Sequence, residues 1–236
     1  MSEIFQTILY QPLFNILVGL YQIIPGHDLG VAIIGITVLM RLVLYPVSKK
    51  AIVAQKQLQE LQPKIEEVKL QYKDDKQGQA TALMALYKEH NMNPAGSCLP
   101  LLLQIPVFIA LYWVLGAGLR SEHLDLLYSF VPNPGSLNTV AFGFLNLNEP
   151  SIYIAIAAGI AQYWQGAQLT TKQPKPKVDG AQDESISAIM NTQLKYMLPI
   201  VTVFIGAKLA SGLTLYWFFS TIIYAVQQYF VMKKYS

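Results

Sequence analysis

At 236 residues, with 53% hydrophobic and 13% charged side chains, the chain has about half the charged share of an ordinary soluble domain, so lipid is its expected solvent. The net charge of +3 gives little support to nucleic-acid recognition. A single cysteine, Cys98, allows no internal disulfide framework and suggests no metal site. The first 24 residues lack the basic start and small-residue cleavage site of a secretory signal, so the working protein is expected to begin at Met1.

A hydrocarbon core about 30 Å thick takes roughly 20 apolar residues of helix, and five stretches of this chain meet that length. The expected fold class is therefore all-α, a polytopic membrane protein with five transmembrane helices. Residues 1–28 come before them. Gln6, Gln11, Asn15 and Gln22 recur along one helical face, with Leu9, Leu13, Ile16, Leu17 and Leu20 on the others. That pattern is expected of an extracytoplasmic, interfacial amphipathic helix, and a sixth span is the alternative. Pro25-Gly26 breaks the segment, and Asp28 is placed to cap the next helix.

Residues 29–47 are the first span. Residues 48–97 are too charged for another, yet Leu58, Leu61, Ile65, Val68 and Tyr72 step by threes and fours as a heptad seam does. The reading is a cytoplasmic helical hairpin, with Pro63 as a kink or a fresh helix start in its first arm. Its second arm carries Ala80, Leu83, Met84 and Tyr87 and stops at Asn93-Pro94-Ala95-Gly96. Residues 98–119 form the second span, 120–150 an extracytoplasmic loop, and 151–169 the third span. The cytoplasmic loop 170–193 is Pro- and Lys-containing and aperiodic, so it reads as flexible. Spans 194–210 and 213–232 follow, joined at a Ser211-Gly212 turn, and 233–236 is a cytoplasmic tail.

Orientation follows from lysine and arginine. Residues 48–97 hold eight lysines, 170–193 hold three, and the tail has Lys233-Lys234; residues 1–28 hold none, and 120–150 hold Arg120 alone. The positive-inside rule then puts the N-terminus outside and the C-terminus in the cytoplasm.

Arg41 lies within the first span, where a cation costs about 2.5 to 3.5 kcal/mol on insertion scales unless it is relieved. One reading is that it snorkels to the inner headgroups. The other is a hydrated, positively charged cavity, since no Asp or Glu occurs in any of the five spans to neutralise it. Thr37 sits one turn before Arg41 on the same side. Gln104, Gln162, Gln165, Thr202, Thr214, Ser220 and Gln227 add polar groups from the other spans, each of which serves equally well as interhelical glue. Pro100, Pro106 and Pro199 would bend two of those helices. The three histidines are scattered, no nucleophile and base pair emerges, and no metal spacing occurs. The chain is read as a non-enzyme with no catalytic residues, no metal ligands and no cofactor.

Several blocks of sequence resemble the YidC/Oxa/Alb membrane-protein insertases, in that family's order: Tyr10-Gln11-Pro12-Leu13, His27-Asp28-Leu29-Gly30, Thr37 to Arg41 ending in Tyr45-Pro46, Leu61-Gln62-Pro63-Lys64, Asn93 to Pro100, Gln104-Ile105-Pro106-Val107-Phe108 and Leu215-Tyr216-Trp217. The resemblance implies a five-helix core around a hydrophilic groove open to cytoplasm and lipid, with a mobile cytoplasmic hairpin. It also implies that Arg41, Thr37, Gln104, Ile105, Phe108, Tyr216 and Trp217 lie on or near the path of a substrate helix; Gln162 joins them as a further groove residue. The form expected is the short one, without the family's large periplasmic domain and with a short basic tail.

The function so implied is a membrane-protein insertase and folding chaperone of the bacterial inner membrane. Its partners would be nascent membrane proteins, the lipid bilayer and the ribosome, with the Sec translocon and the signal-recognition-particle pathway as further candidates. A small anion channel or transporter that uses Arg41 as its selectivity charge is the alternative.

Overall fold

The computed structural model describes residues 3–92, 99–119, 123–169 and 193–235. The expected hairpin stop at Asn93 to Gly96, Cys98, Arg120 and residues 170–192 of the second cytoplasmic loop lie outside the described residues.

Helix α1 runs over Glu3–Ile23 and begins with a π-helical turn at Gln6–Tyr10. Its polar residues are spent on the loop that follows the fifth helix. Gln11 and Asn15 both donate to the Leu126 carbonyl at 3.1 Å, and Asn15 Oδ1 accepts from the Tyr128 amide at 2.6 Å. The Tyr21 hydroxyl accepts from the Asn138 amide at 3.0 Å. Phe14, Leu17 and Val18 are fully buried, while Ile4, Ile8 and Ile23 are exposed. An amide side chain buried without such partners would be costly, so these contacts fix the angle at which α1 lies on the loop.

Helix α2 spans Leu29–Val43. Asp28 caps it, with Oδ1 accepting from the Val31 amide at 3.1 Å, and Oδ2 accepts from the Phe142 amide at 2.6 Å. One carboxylate thus satisfies a helix start and pins the loop at Phe142. The helix stops short of residue 47: the chain bends by 66° at Leu44 and continues as α3, Tyr45–Gln71. Pro46 explains the bend, because it lacks the amide a continuous helix needs but fits the first turn of a new one. Pro63 lies inside α3 without interrupting it, so the first arm of the hairpin is neither broken nor restarted there.

Asp75 caps α4, Lys76–Glu89, accepting from the Gln77 and Gly78 amides at 3.1 and 2.9 Å. In the heptad seam, Leu61 and Ile65 are buried but Tyr72 is exposed, as are Leu70 and Met84. Burial pushes the Lys69 ammonium down from its ordinary value, against the opposing pull of Glu66. Gln79 of the second arm donates to the Lys69 carbonyl of the first at 3.2 Å, so the arms meet beside the turn while their outward apolar side chains stay exposed.

Helix α5 is Leu99–Leu119. After it come a 3-10 turn, Leu124–Leu126, and a two-stranded antiparallel ribbon of β1, Val140–Ala141, and β2, Leu145–Asn146, paired Val140 to Asn146 and Ala141 to Leu145. Helix α6 is Ile152–Ala167. A π turn at Gln193–Met197 leads into α7, Leu198–Gly206, and α8 is Ser211–Lys234. Ser211 and Gly212 open α8 instead of forming the turn before it. The Ser211 hydroxyl lies 2.6 Å from the Asn146 and Glu149 carbonyls, and the Gly212 amide donates to the Leu147 carbonyl at 3.0 Å.

α8 packs on α6, α2 and α3, and α6 packs on α7. In lipid the hydrophobic effect does not separate one apolar helix from another, so close approach has to do that work. Gly159 provides it: a Cβ there would overlap the Val203 side chain and sit 3.2 Å from the Pro199 carbonyl oxygen. Among the described residues, α1 is the one straight helix long and apolar enough to cross a bilayer, and α2 with α3 qualifies as a bent pair.

Candidate functional site

The site is organised by α8. Tyr216, Ser220, Tyr224 and Gln228 recur every four residues, so they stack along one face of the helix, and all four are buried. Each meets a polar or aromatic group from another element.

At the first step, Gln104 of α5 donates to the Tyr216 hydroxyl at 2.6 Å. Beside it, Phe108 meets the Trp217 ring edge-on with centroids 5.6 Å apart. Ile105, one residue beyond Gln104, is 47% exposed. At the second step, both Nε and Nη2 of Arg41 donate to the Ser220 hydroxyl, at 3.1 and 2.6 Å. The guanidinium also stacks over the Tyr224 ring, 5.1 Å from its centroid. Arg41 has no acidic partner among the described residues: a hydroxyl and an aromatic face orient the cation without cancelling its charge.

At the third step, Gln162 donates to Gln165 at 2.7 Å, Gln165 donates to the Gln228 side chain at 3.1 Å, and Gln228 returns a bond to the Gln165 carbonyl at 3.3 Å. This cluster holds α6 to α8 about 12 Å of helix rise past Ser220. Gln162 therefore belongs to the same stripe as Arg41 but not to its immediate surroundings. Thr37 is fully buried, and its hydroxyl is spent on the Ile33 carbonyl at 2.6 Å. It packs the α2 backbone and offers no free donor.

Tyr224 and Gln228 complete the stripe but were not singled out by sequence reasoning. The signal was the four-residue repeat in the last span, which becomes meaningful once α2, α5 and α6 are seen to converge on it. Arg41 also lines a cleft of about 300 Å³ between α2 and α8.

The Gln228 end of the stripe is closed by α3. Lys56 Nζ donates to the Met232 carbonyl at 3.0 Å and pairs with Glu60 at 3.7 Å. Gln59 donates to the Leu169 carbonyl at 2.8 Å, and Gln168 donates to the Ala225 carbonyl at 3.1 Å. The Met232 and Leu169 carbonyls lie at the ends of α8 and α6, where carbonyls lack an intrahelical partner, whereas Gln168 adds a second donor to a carbonyl in the body of α8.

A family profile described as "60Kd inner membrane protein" matches residues 19–236. A "Membrane protein insertase YidC" of Fusobacterium nucleatum is 32% identical over 210 residues, covering 88% of this chain and 87% of that protein. One of the same name from Clostridium tetani is 34% identical over 200 residues, or 84% and 79% of the two chains. A third, from Dinoroseobacter shibae, is 35% identical over 97% of this chain but only 37% of its own length. The chain thus spans most of the shorter relatives and little more than a third of the longer ones.

Proposed function

Because the chain belongs to the YidC family of inner-membrane proteins, we propose that it inserts nascent membrane proteins into the bilayer and assists their folding, receiving a polar flank of the client along the α8 stripe. The observation that carries this reading is the state of Arg41, held by the Ser220 hydroxyl and the Tyr224 ring with no carboxylate beside it. A cation so held is preorganised for an acidic group that arrives from outside the fold. At an effective dielectric of 20, a carboxylate 4 Å away is attracted by about 4 kcal/mol before its own desolvation is subtracted.

Gln104, Tyr216 and the Gln162 cluster extend the polar path on either side of Arg41 and shorten the apolar distance a flank has to cross. Ile105, Phe108 and Trp217 offer the apolar client helix a way into lipid, and its own partition out of water drives that step. In this reading the N-terminus faces outward, the C-terminus faces the cytoplasm, five helices span and α1 lies in the outer interface. The hairpin, with Leu70, Tyr72 and Met84 exposed, meets the client first. Ribosome, Sec translocon and signal-recognition-particle contacts belong to the same proposal.

Reconstitution tests it. Liposomes carrying the purified protein should insert a short single-span client and should not pass chloride. Chloride flux without insertion would replace this reading with an anion pathway.

A further inference from the structure

The α2–α8 cleft has properties that the client path does not use. Its walls are Val38 and Leu42 of α2, Tyr45 at the bend, and Val226 and Phe230 of α8, with Arg41 as the cation among them. Leu42 and Phe230 are 67% and 64% exposed, so the cleft faces outward from the helix bundle. At about 300 Å³ it is a narrow slot, open along one side and lined almost wholly by apolar side chains. A single acyl chain is the apolar rod that fits.

The rim of the cleft is basic. After the 66° bend, α3 crosses the inner end of α8: Gln227 donates to the Tyr45 carbonyl at 3.4 Å, and Lys49 Nζ sits 5.9 Å from the centre of the Tyr235 ring. Lys50, Lys233 and Lys234 are exposed at the same corner. Phe230 precedes Lys233 by three residues, about 5 Å of rise, so the apolar walls run directly into the lysines. No Asp or Glu occurs from Leu29 to Gln59 or from Gln193 to the end of the chain. The stretches that form the rim thus carry no acid of their own, the first in α3 being Glu60, more than two turns past Lys50.

We propose that this cleft binds an anionic phospholipid of the cytoplasmic leaflet, with one acyl chain along Leu42, Val226 and Phe230 and the phosphate among Lys49, Lys50, Lys233 and Lys234. The leaflet rests on the orientation read from the lysines; the site itself needs only that the protein is embedded in a bilayer. Basic residues grouped at the cytoplasmic edge of a span attract acidic headgroups, and here they stand over a slot shaped for the chain below.

The test uses the full chain in phosphatidylcholine vesicles containing a small, equal fraction of acyl-brominated phosphatidylglycerol or acyl-brominated phosphatidylcholine. Phe230→Trp, or Val226→Trp as a second reporter, puts an indole in the cleft, and quenching is read as the difference from the parent protein. Ile200→Trp, at an exposed position on α7, serves as the control. The brominated phosphatidylglycerol should quench the cleft reporter about threefold to fivefold more effectively than the phosphatidylcholine, with no preference at the control. Lys233→Gln with Lys234→Gln should halve that preference, and adding Lys49→Gln and Lys50→Gln should abolish it.

Equal quenching by the two lipids in the cleft would mean ordinary boundary lipid and would overturn the proposal. Quenching at the control but by neither lipid in the cleft would mean that protein fills it, and would overturn the proposal as well. A preference that survives loss of all four lysines would overturn the phosphate placement. Client insertion is not read in this experiment, so a failed insertion assay beside an intact lipid preference would count against the proposed function alone.

Discussion

The two ends of the helix bundle, outer and inner in the orientation proposed above, are closed by different chemistry. At the outer end, short groups bind backbone: Asp28 holds the Val31 and Phe142 amides, Ser211 meets the Asn146 and Glu149 carbonyls, and Asn15 bridges Leu126 and Tyr128. At the inner end, long side chains of α3 and α6 reach across to carbonyls: Lys56 to Met232, Gln59 to Leu169 and Gln168 to Ala225. Ordering a Lys or Gln side chain costs about 1.5 to 2 kcal/mol in rotamer freedom, much of what a hydrogen bond returns, whereas Asp, Ser and Asn lose less. The outer closure is therefore rigid and the inner one weak, an asymmetry suited to a path that opens inward.

Breaking the outer end should cost most. Ser211→Ala removes the hydroxyl proton shared by the Asn146 and Glu149 carbonyls, and we expect a loss of about 2 kcal/mol, read as a lowered melting temperature in detergent. Asn15→Leu removes the two hydrogen bonds that tie its side chain to the loop at Leu126 and Tyr128 and should cost a similar amount, about 1 to 3 kcal/mol. It should also raise hydrogen exchange at Tyr128.

Lys56→Met combined with Gln59→Met should cost less than about 1 kcal/mol in the same melting assay, yet speed exchange over residues 45–71. If the inner pair proves as costly as Ser211→Ala, the asymmetry is wrong. The smallest effect concerns α1. Thr7→Cys should leave stability within about 0.5 kcal/mol of the parent and label from the outside; protection from outside reagents would put α1 across the bilayer.

Much of this was legible in the sequence because period and punctuation are local. The α2 start at Asp28, the α5 and α8 helices and the two arms of the hairpin follow from hydropathy, capping and the heptad seam. What the sequence could not supply was the partner of each polar group. Gln11 and Asn15 read as a water-facing stripe, yet the backbone of a loop more than a hundred residues away takes them up. Thr37 read as a site residue by its position beside Arg41, yet its hydroxyl turns back onto its own helix. Pro46, one residue past Tyr45, ended helix α2 earlier than its apolar run suggested, while Pro63 left its helix whole. Arg41 itself was conspicuous from composition alone, but Ser220 and Tyr224 as its holders emerge from the packing of α2 on α8.

The central claim is that Arg41 is an uncompensated charge held ready for an acidic client flank, and it is tested most directly by insertion assays in proteoliposomes with paired clients. Arg41→Ala should lower insertion of a client with an acidic translocated tail about tenfold, equivalent to about 1.4 kcal/mol, and that of its neutral counterpart less than twofold. Arg41→Lys should retain most of the activity toward both, since a point charge suffices. An equal loss for the acidic and neutral clients in Arg41→Ala would contradict the account and reduce Arg41 to a structural link between α2 and α8.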